Sequence, residues 1–356
     1  MKKLNVAILG QGRSGRNIHG AYFLSEANEF YTVKYIVDAD EGRRAAAERD
    51  FAGVKTFADY RELFAFDDID LIVNATYSEQ HYPITLDCLE HGYNVLTEKP
   101  FGRTRYECEH QIRVAKEKGV VLAVFQQSFY APYYTHAMEM MKSGRLGDVK
   151  QISVCFNGFS RRWDWQTLQK KCAGGLYNTG PHPVGLALGF LGFDKNAKLA
   201  FSSLNRGLTS GDGDDYAKLI LTAPNCPVVD VEISSLDAYS PFTLKLQGSR
   251  GTLLTTIGAY KMTWIVDGEN PERPVIEGSL RDENGNPIYC KEDLVKHTEE
   301  AKHSGGPFDV GKNTLYRELY YHITEGKPMA VTPEMATDVI GVIAAAYEEN
   351  RLDVKF

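Results

Sequence analysis

The chain lacks any run of about 18 consecutive apolar residues, which leaves it without a candidate membrane-crossing helix. It also lacks an excess of positive charge. Its 40 Lys and Arg against 47 Asp and Glu leave a formal charge of −7, which argues against a nucleic-acid or anionic-membrane surface. Cysteine is sparse and unpatterned: Cys88, Cys108, Cys155, Cys172, Cys226 and Cys290 contain no CxxC pair. That spacing suits neither a zinc site nor a disulfide frame, so these read as reduced, mostly buried thiols of a cytoplasmic protein, and no metal is expected. The opening Met1-Lys2-Lys3 superficially resembles a signal peptide, but the apolar run behind it is short and meets a glycine loop, not a small-residue cleavage site. There is no internal repeat and no low-complexity tract.

What is present is ordinary in bulk and specific in detail. At 356 residues, 43% hydrophobic and 24% charged, the chain is a globular protein long enough for two domains. Residues 5–9 form an apolar run that leads into Gly10-Gln11-Gly12-Arg13-Ser14-Gly15, and a second apolar run, 32–37, ends on Asp38. GxGxxG alone is a weak signal. Behind a strand, at the start of a helix, and with an acid about 20 residues on, it is a dinucleotide fingerprint. Gly10 serves the tight turn, Gly12 lets the backbone approach a pyrophosphate, and Gly15 lets helix and strand pack closely. A diphosphate would sit on unpaired N–H groups at the positive end of the helix. A carboxylate at Asp38 suits the two ribose hydroxyls of NAD and repels the 2′-phosphate of NADP. The nearest cations are Arg13 and Arg43-Arg44. NAD is therefore expected over NADP, with Arg13 free to stack on adenine or reach a phosphate.

Apolar strand runs at 5–9, 32–37, 71–75, 94–97 and 120–125 alternate with helical patterns at 13–27, 41–51, 79–91 and 105–118. Gly92 and Gly119 stand where helix C-caps belong. This predicts an α/β Rossmann domain over residues 1–125, its parallel sheet covered on both faces. After Gln126 the texture changes. A helix at 132–143 precedes strand-like runs at 151–156, 199–204, 217–222, 228–233, 243–247 and 251–256. Residues 126–356 are therefore expected to form an α+β domain with an open, mostly antiparallel sheet. Val339, Val342, Ile343, Ala346 and Tyr347 recur at helical spacing and read as core; that C-terminal helix is free to pack back on the first domain.

Two clusters carry chemistry. Thr97-Glu98-Lys99-Pro100 ends the fourth long strand of the first domain. A lysine there points into the crevice where parallel sheets bind ligands, and can stabilise an oxygen that gains negative charge during hydride transfer. The bland alternative is a surface lysine. Gly174 to Pro183 forms the second cluster, with His182 placed four residues after Asn178, one helical turn away. A histidine near its ordinary pKa of about 6.5 can accept an alcohol proton; the alternative is a helix-terminal histidine satisfied by a cap. Nearby, Arg162, Trp163 and Trp165 offer aromatic faces beside polar groups, which suits a carbohydrate or, alternatively, an interface.

Together, the N-terminal GxGxxG, the Glu98-Lys99-Pro100 tripeptide and the GGxxxxxGxH segment at 174–182 resemble the Gfo/Idh/MocA oxidoreductases. The resemblance extends over essentially the whole chain, down to the turn at Gln247 to Thr252. It implies NAD(P)-dependent oxidation or reduction of a sugar or polyol, with Lys99 and His182 acting on the substrate hydroxyl and a cis Lys99–Pro100 bond. The expected cofactor contacts are Gly10, Gly12, Arg13, Ser14, Gly15, Asp38, Thr76, Tyr77, Ser78, His81, Glu98, Lys99 and Gln127. The expected substrate contacts are Lys99, Arg162, Trp163, Trp165, Asn178 and His182. Two departures stand out. Asn178 occupies the place of a common aspartate, and Thr76-Tyr77-Ser78 replaces a Thr-Pro-Asn type sequence. The expectation is an NAD-dependent dehydrogenase of a sugar, glycoside or cyclitol, a homodimer or homotetramer through its C-terminal sheet. The rival readings are an NAD-dependent glycosidase and a non-catalytic nucleotide sensor.

Overall fold

The computed structural model describes residues 2–356. Short apolar segments with no polar alternation, such as Leu4–Leu9 (β1), Leu71–Asn74 (β4) and Val95–Thr97 (β5), are buried along almost their whole length. Such strands need cover on both faces, and they receive it. With Tyr31–Val37 (β2), Lys55–Phe57 (β3) and Leu122–Val124 (β6) they form a wholly parallel sheet in the order β3-β2-β1-β4-β5-β6. Strand order reverses between β1 and β4, and ligands of such sheets bind beyond the carboxyl ends there. Connecting helices are Ala21–Leu24 (α1), Glu41–Asp50 (α2), His81–Glu90 (α3) and Arg105–Lys118 (α4). The last of these closes on Gly119 in the left-handed conformation.

The second half reads differently and folds differently. Tyr216–Thr222 (β9) and Val228–Ser234 (β10) alternate buried and half-buried residues, the mark of a sheet covered on one face. Along with Val149–Asn157 (β7), Lys198–Asn205 (β8), Leu244–Gly248 (β11), Gly251–Thr255 (β12), Ala259–Trp264 (β13) and His297–Lys302 (β14), they form an eight-stranded sheet. Its order is β14-β13-β12-β11-β7-β10-β9-β8. All neighbours are antiparallel except β7 and β10. The covered face packs on Pro132–Lys142 (α5), Gly175–Asn178 (α6) and Pro181–Phe190 (α7), which is apolar and buried almost throughout.

The last two helices return to the first sheet. Pro307–Glu325 (α8) places Leu315, Tyr316, Leu319 and Tyr320 in the core that β1, β2 and β4 share. Pro333–Glu349 (α9) lies against α4, joined by the pairs Arg105–Asp338 at 2.9 Å and Lys116–Glu334 at 3.0 Å. The ring of Tyr316 stacks on Tyr22 at 4.2 Å, and its hydroxyl meets His19 Nδ1 at 2.7 Å. The other nitrogen of His19 lies 3.2 Å from Glu98. Tyr316→Phe keeps the ring and strands the histidine, so it is expected to cost about 1–3 kcal/mol in urea unfolding. A cost near zero would mean that the His19 contact contributes nothing.

Among the described residues all six cysteines are free, no cluster of three or more His, Cys, Asp or Glu could hold a metal, and no helix is long and apolar enough to cross a membrane.

Candidate active site

A cavity of about 970 Å³ opens beyond the carboxyl ends of β1, β4 and β5 and extends under α7. At one end the chain leaves β1 through Gly10, whose φ is +89°. A Cβ at Gly10 would press on the Ala75 carbonyl at the end of β4, so glycine is required where the two strands part. A side chain at Gly15 would overlap the Gly10 carbonyl, so glycine is required there too, at the start of the widened π turn over Gly15–Gly20. Gly12, by contrast, has open space where its Cβ would be, a bare backbone facing the cavity. Asp38 closes this end: its carboxylate accepts from Gln11 N at 2.7 Å and from Asp40 N at 2.9 Å. Arg43 stands 3.5 Å from Asp38 and lines the cavity with Arg61, while Arg44 is tied to the carbonyls of Asp38 and Ala39.

The other end is assembled from both sheets. Lys99 follows β5, and the Lys99–Pro100 bond is cis. Its ammonium donates to the Asn178 carbonyl at 2.7 Å, and its backbone N–H donates to Glu98 at 3.1 Å. Burial pushes the Lys99 pKa down; Glu98 opposes this, and Arg13 and Arg162 add to it. Glu98 itself is held down at about 2 against the effect of burial, mainly by the hydrogen bond and charge of His19. His182 Nδ1 lies 3.1 Å from Ser128 Oγ. Desolvation, then the Lys99 charge, pushes its pKa down to about 3, with Glu98 opposing. The ring is therefore neutral over the whole physiological range, well below the ordinary histidine value that the sequence suggests.

Of the residues singled out in the sequence, Gly10, Gly12, Arg13, Ser14, Asp38, Thr76, Tyr77, Ser78, His81, Glu98, Lys99, Gln127, Arg162, Trp165, Asn178 and His182 all line this cavity. Two do not. Gly15 lies beneath the loop as a packing residue, and Trp163 points away from the cavity, 79% exposed. His81 has both ring nitrogens against carbonyls, Pro100 at 2.9 Å and Thr76 at 3.2 Å, so it braces the wall. Asn178 and His182 share the cavity but not one regular helix. Pro181 and Pro183 supply no N–H donors, the helix is interrupted after Asn178, and the amide donates to the Gln166 carbonyl at 2.5 Å. Tyr77 meets Trp165 edge to face at 4.9 Å, an aromatic bridge across the mouth. Ser128, Gln166, Ile257 and Phe308 also line the cavity; the first two adjoin Gln127 and Trp165, while Ile257 and Phe308 lie far along the chain from every motif.

The residues present fit a dinucleotide and a polyhydroxylated ligand. The bare Gly12 backbone suits a diphosphate, Asp38 suits ribose hydroxyls, and the buried side-chain oxygens of Asn178 and Gln127 have no partner in the protein. Fold and cavity together define a dinucleotide-binding oxidoreductase with an open-sheet second domain. Residues 4–126 match the oxidoreductase family with an NAD-binding Rossmann fold, and residues 134–254 match the GFO/IDH/MocA C-terminal domain. The chain belongs to the GFO/IDH/MocA oxidoreductase family. It is 25% identical over 350 residues to the scyllo-inositol 2-dehydrogenase (NADP(+)) IolW of Bacillus subtilis, spanning 98% of this chain and 94% of that protein. It is 22% identical over 294 residues to the 2,7-anhydro-N-acetylneuraminate hydratase of Mediterraneibacter gnavus, 81% of this chain and 77% of that one. The fold matches that of GenD2 from gentamicin A biosynthesis, solved with NAD, at a TM-score of 0.74 and 22% identity, covering 98% and 94% of the two chains.

Proposed function

We propose that the protein is an NAD-dependent dehydrogenase acting on a secondary hydroxyl, or the matching ketone, of a sugar, glycoside or cyclitol. The observation that carries this reading is the convergence of a half-buried ammonium, Lys99, and a neutral imidazole, His182, in the cavity that begins at the glycine loop. A bound dinucleotide, held along the glycine loop and Asp38, would supply the acceptor for the hydride of the carbinol carbon. The protein supplies the rest. Lys99 donates a hydrogen bond to the reacting oxygen and stabilises the charge it gains. His182, in the tautomer that carries its proton on Nδ1 beside Ser128 Oγ, presents Nε2 as the acceptor for the hydroxyl proton. The unpartnered oxygens of Asn178 and Gln127 accept hydrogen bonds from neighbouring hydroxyls. Arg162 is paired with Asp164 at 2.7 Å, so the outer wall presents donors and acceptors together, as a neutral polyol requires. The test is a panel of sugars, cyclitols and glycosides with NAD and NADP, read by reduced-cofactor absorbance and product analysis. No turnover on any CH–OH compound would sink the reading.

The likeness to a hydratase favours one second reading, in which transient oxidation acidifies a neighbouring C–H and permits elimination. Release of an aglycone or an unsaturated sugar with NAD in catalytic amount distinguishes it.

NAD is favoured over NADP because the Asp38 carboxylate occupies the ribose end of the cavity. Asp38→Ser is expected to raise the kcat/KM ratio of NADP to NAD by about ten- to a hundredfold. It removes the repulsion and frees Arg43, already 3.5 Å away, for a phosphate. Adding Ala39→Arg should extend the gain. A wild type that uses both cofactors equally would refute the argument from Asp38.

A further inference from the structure

Asp214 lies just before β9, away from the cavity, and is buried. One carboxylate oxygen accepts from Leu176 N, in the first turn of α6, at 2.8 Å; the other accepts from the Tyr347 hydroxyl of α9. The Asp214 carbonyl accepts from Gly175 N at 2.7 Å. At the far end of the same short helix, the Asn178 carbonyl holds the Lys99 ammonium at 2.7 Å. Gly174, with φ at +121°, lies against this contact, and any side chain there would push into the Asp214 carboxylate and the Tyr347 hydroxyl.

We propose that Asp214 is a positioning residue of the reaction: its carboxylate anchors the start of α6, and α6 in turn anchors the Lys99 ammonium, so that protonating Asp214 lowers turnover. The inference rests on the dehydrogenase reading, in which Lys99 acts on the substrate oxygen. A carboxylate at the first turn makes a charge-assisted bond to the helix N–H groups, and a neutral acid makes a weaker one. Several titratable groups face Asp214. Tyr347 donates to it from α9; Tyr177 of α6 stacks on Tyr347 at 4.9 Å; Cys172 precedes α6; and Asp215 follows in the chain, engaged by the N–H groups of Gly207, Leu208 and Thr209. Among the described residues Asp214 makes no ion pair. Burial therefore pushes its pKa up, to about 6, against the pull of Tyr347 and Leu176. The raised value means that native stability falls as the pH rises from the ordinary carboxylate range through about 6 and that the loss is complete above it, a dependence that Asp214→Asn removes.

The experiment pairs amide hydrogen exchange at Leu176 with the pH profile of kcat between pH 5 and 8. In the wild type, protection at Leu176, corrected for intrinsic exchange, and kcat should each fall about three- to tenfold around a common midpoint near pH 6. Asp214→Asn, a neutral isostere that keeps one acceptor for Leu176 N and turns a donor towards the Tyr347 hydroxyl as the protonated acid does, should hold both quantities at the low plateau at every pH, while losing no stability at pH 8. Tyr347→Phe removes a donor to the carboxylate and should move the step to higher pH. A step that survives Asp214→Asn, or wild-type exchange with no step, overturns the proposal. Absence of turnover on every candidate substrate would sink the dehydrogenase reading instead, while a step in exchange that Asp214→Asn abolishes would still support the anchoring of α6.

Discussion

Replacing Lys99 with alanine is expected to lower kcat by about two to four powers of ten and to leave the Kd for NAD nearly unchanged. The ammonium sits at the end of β5 with one protein acceptor, the Asn178 carbonyl at 2.7 Å. Its other donors are free for a ligand. Burial and the nearby guanidinium groups of Arg13 and Arg162 push its pKa down, and the carboxylate of Glu98 opposes them. The hydrogen bond to Asn178 holds the ammonium in place before the reaction begins, and a preorganised charge counts most when the substrate oxygen becomes anionic. Lys99→Arg should rescue little, because a planar fork cannot occupy the point position of an ammonium bonded to one carbonyl. Steady-state kinetics alongside fluorescence titration with NADH separates the possibilities. A variant that loses cofactor binding while keeping kcat at saturation would place Lys99 in a cofactor role instead.

Much of this arrangement was legible in the chain itself, for identifiable physical reasons. The doubly wound sheet shows in the sequence because strands buried on both faces are uniformly apolar, as Leu71–Asn74 is. The glycine loop shows because Gly10 and Gly15 each sit where a side chain would meet backbone. What stays hidden is what depends on neighbours. The edge strand Lys55–Phe57 has three residues and no apolar run, and His297–Lys302 is a charged edge strand, so neither carries a hydrophobic signature. The return of Tyr316 to the first core is a long-range contact that no local period reveals. At the site, the identities of Lys99 and His182 could be read, but not their ionisation. Desolvation of His182 depends on the walls contributed by distant segments, and that is the feature an isolated motif lacks. Trp163 shows the converse: its aromatic character pointed to the cavity, yet its neighbour Trp165 takes that place.

His182→Asn is expected to lower turnover by about two to four orders of magnitude and to leave the midpoint of the acid limb where it stands in the wild type. Both parts follow from the half-buried, desolvated ring. The neutral imidazole keeps a free lone pair for the hydroxyl proton, and its loss removes that acceptor, although the depressed pKa makes the ring a weak base in the ligand-free site. With its pKa pushed down to about 3, the ring does not titrate between pH 5 and 8 and cannot set a limb there. A limb near pH 6 belongs instead to Asp214 and should persist, at reduced amplitude of rate, in the His182 variant. The same depression has a consequence for stability. The unfolded ring binds a proton near pH 6.5 and the native ring does not, so stability is complete above that value and falls as the pH drops towards about 3. The slope from this one ring is at most about 1.4 kcal/mol per pH unit. His182→Asn removes it, so the stability of the variant relative to wild type should improve between pH 7 and pH 5 in urea unfolding. A variant whose acid limb disappears would mean that the ring titrates near neutrality after all. A variant with nearly normal turnover would pass the role of base to another group, with the depressed amine of Lys99 the first to examine.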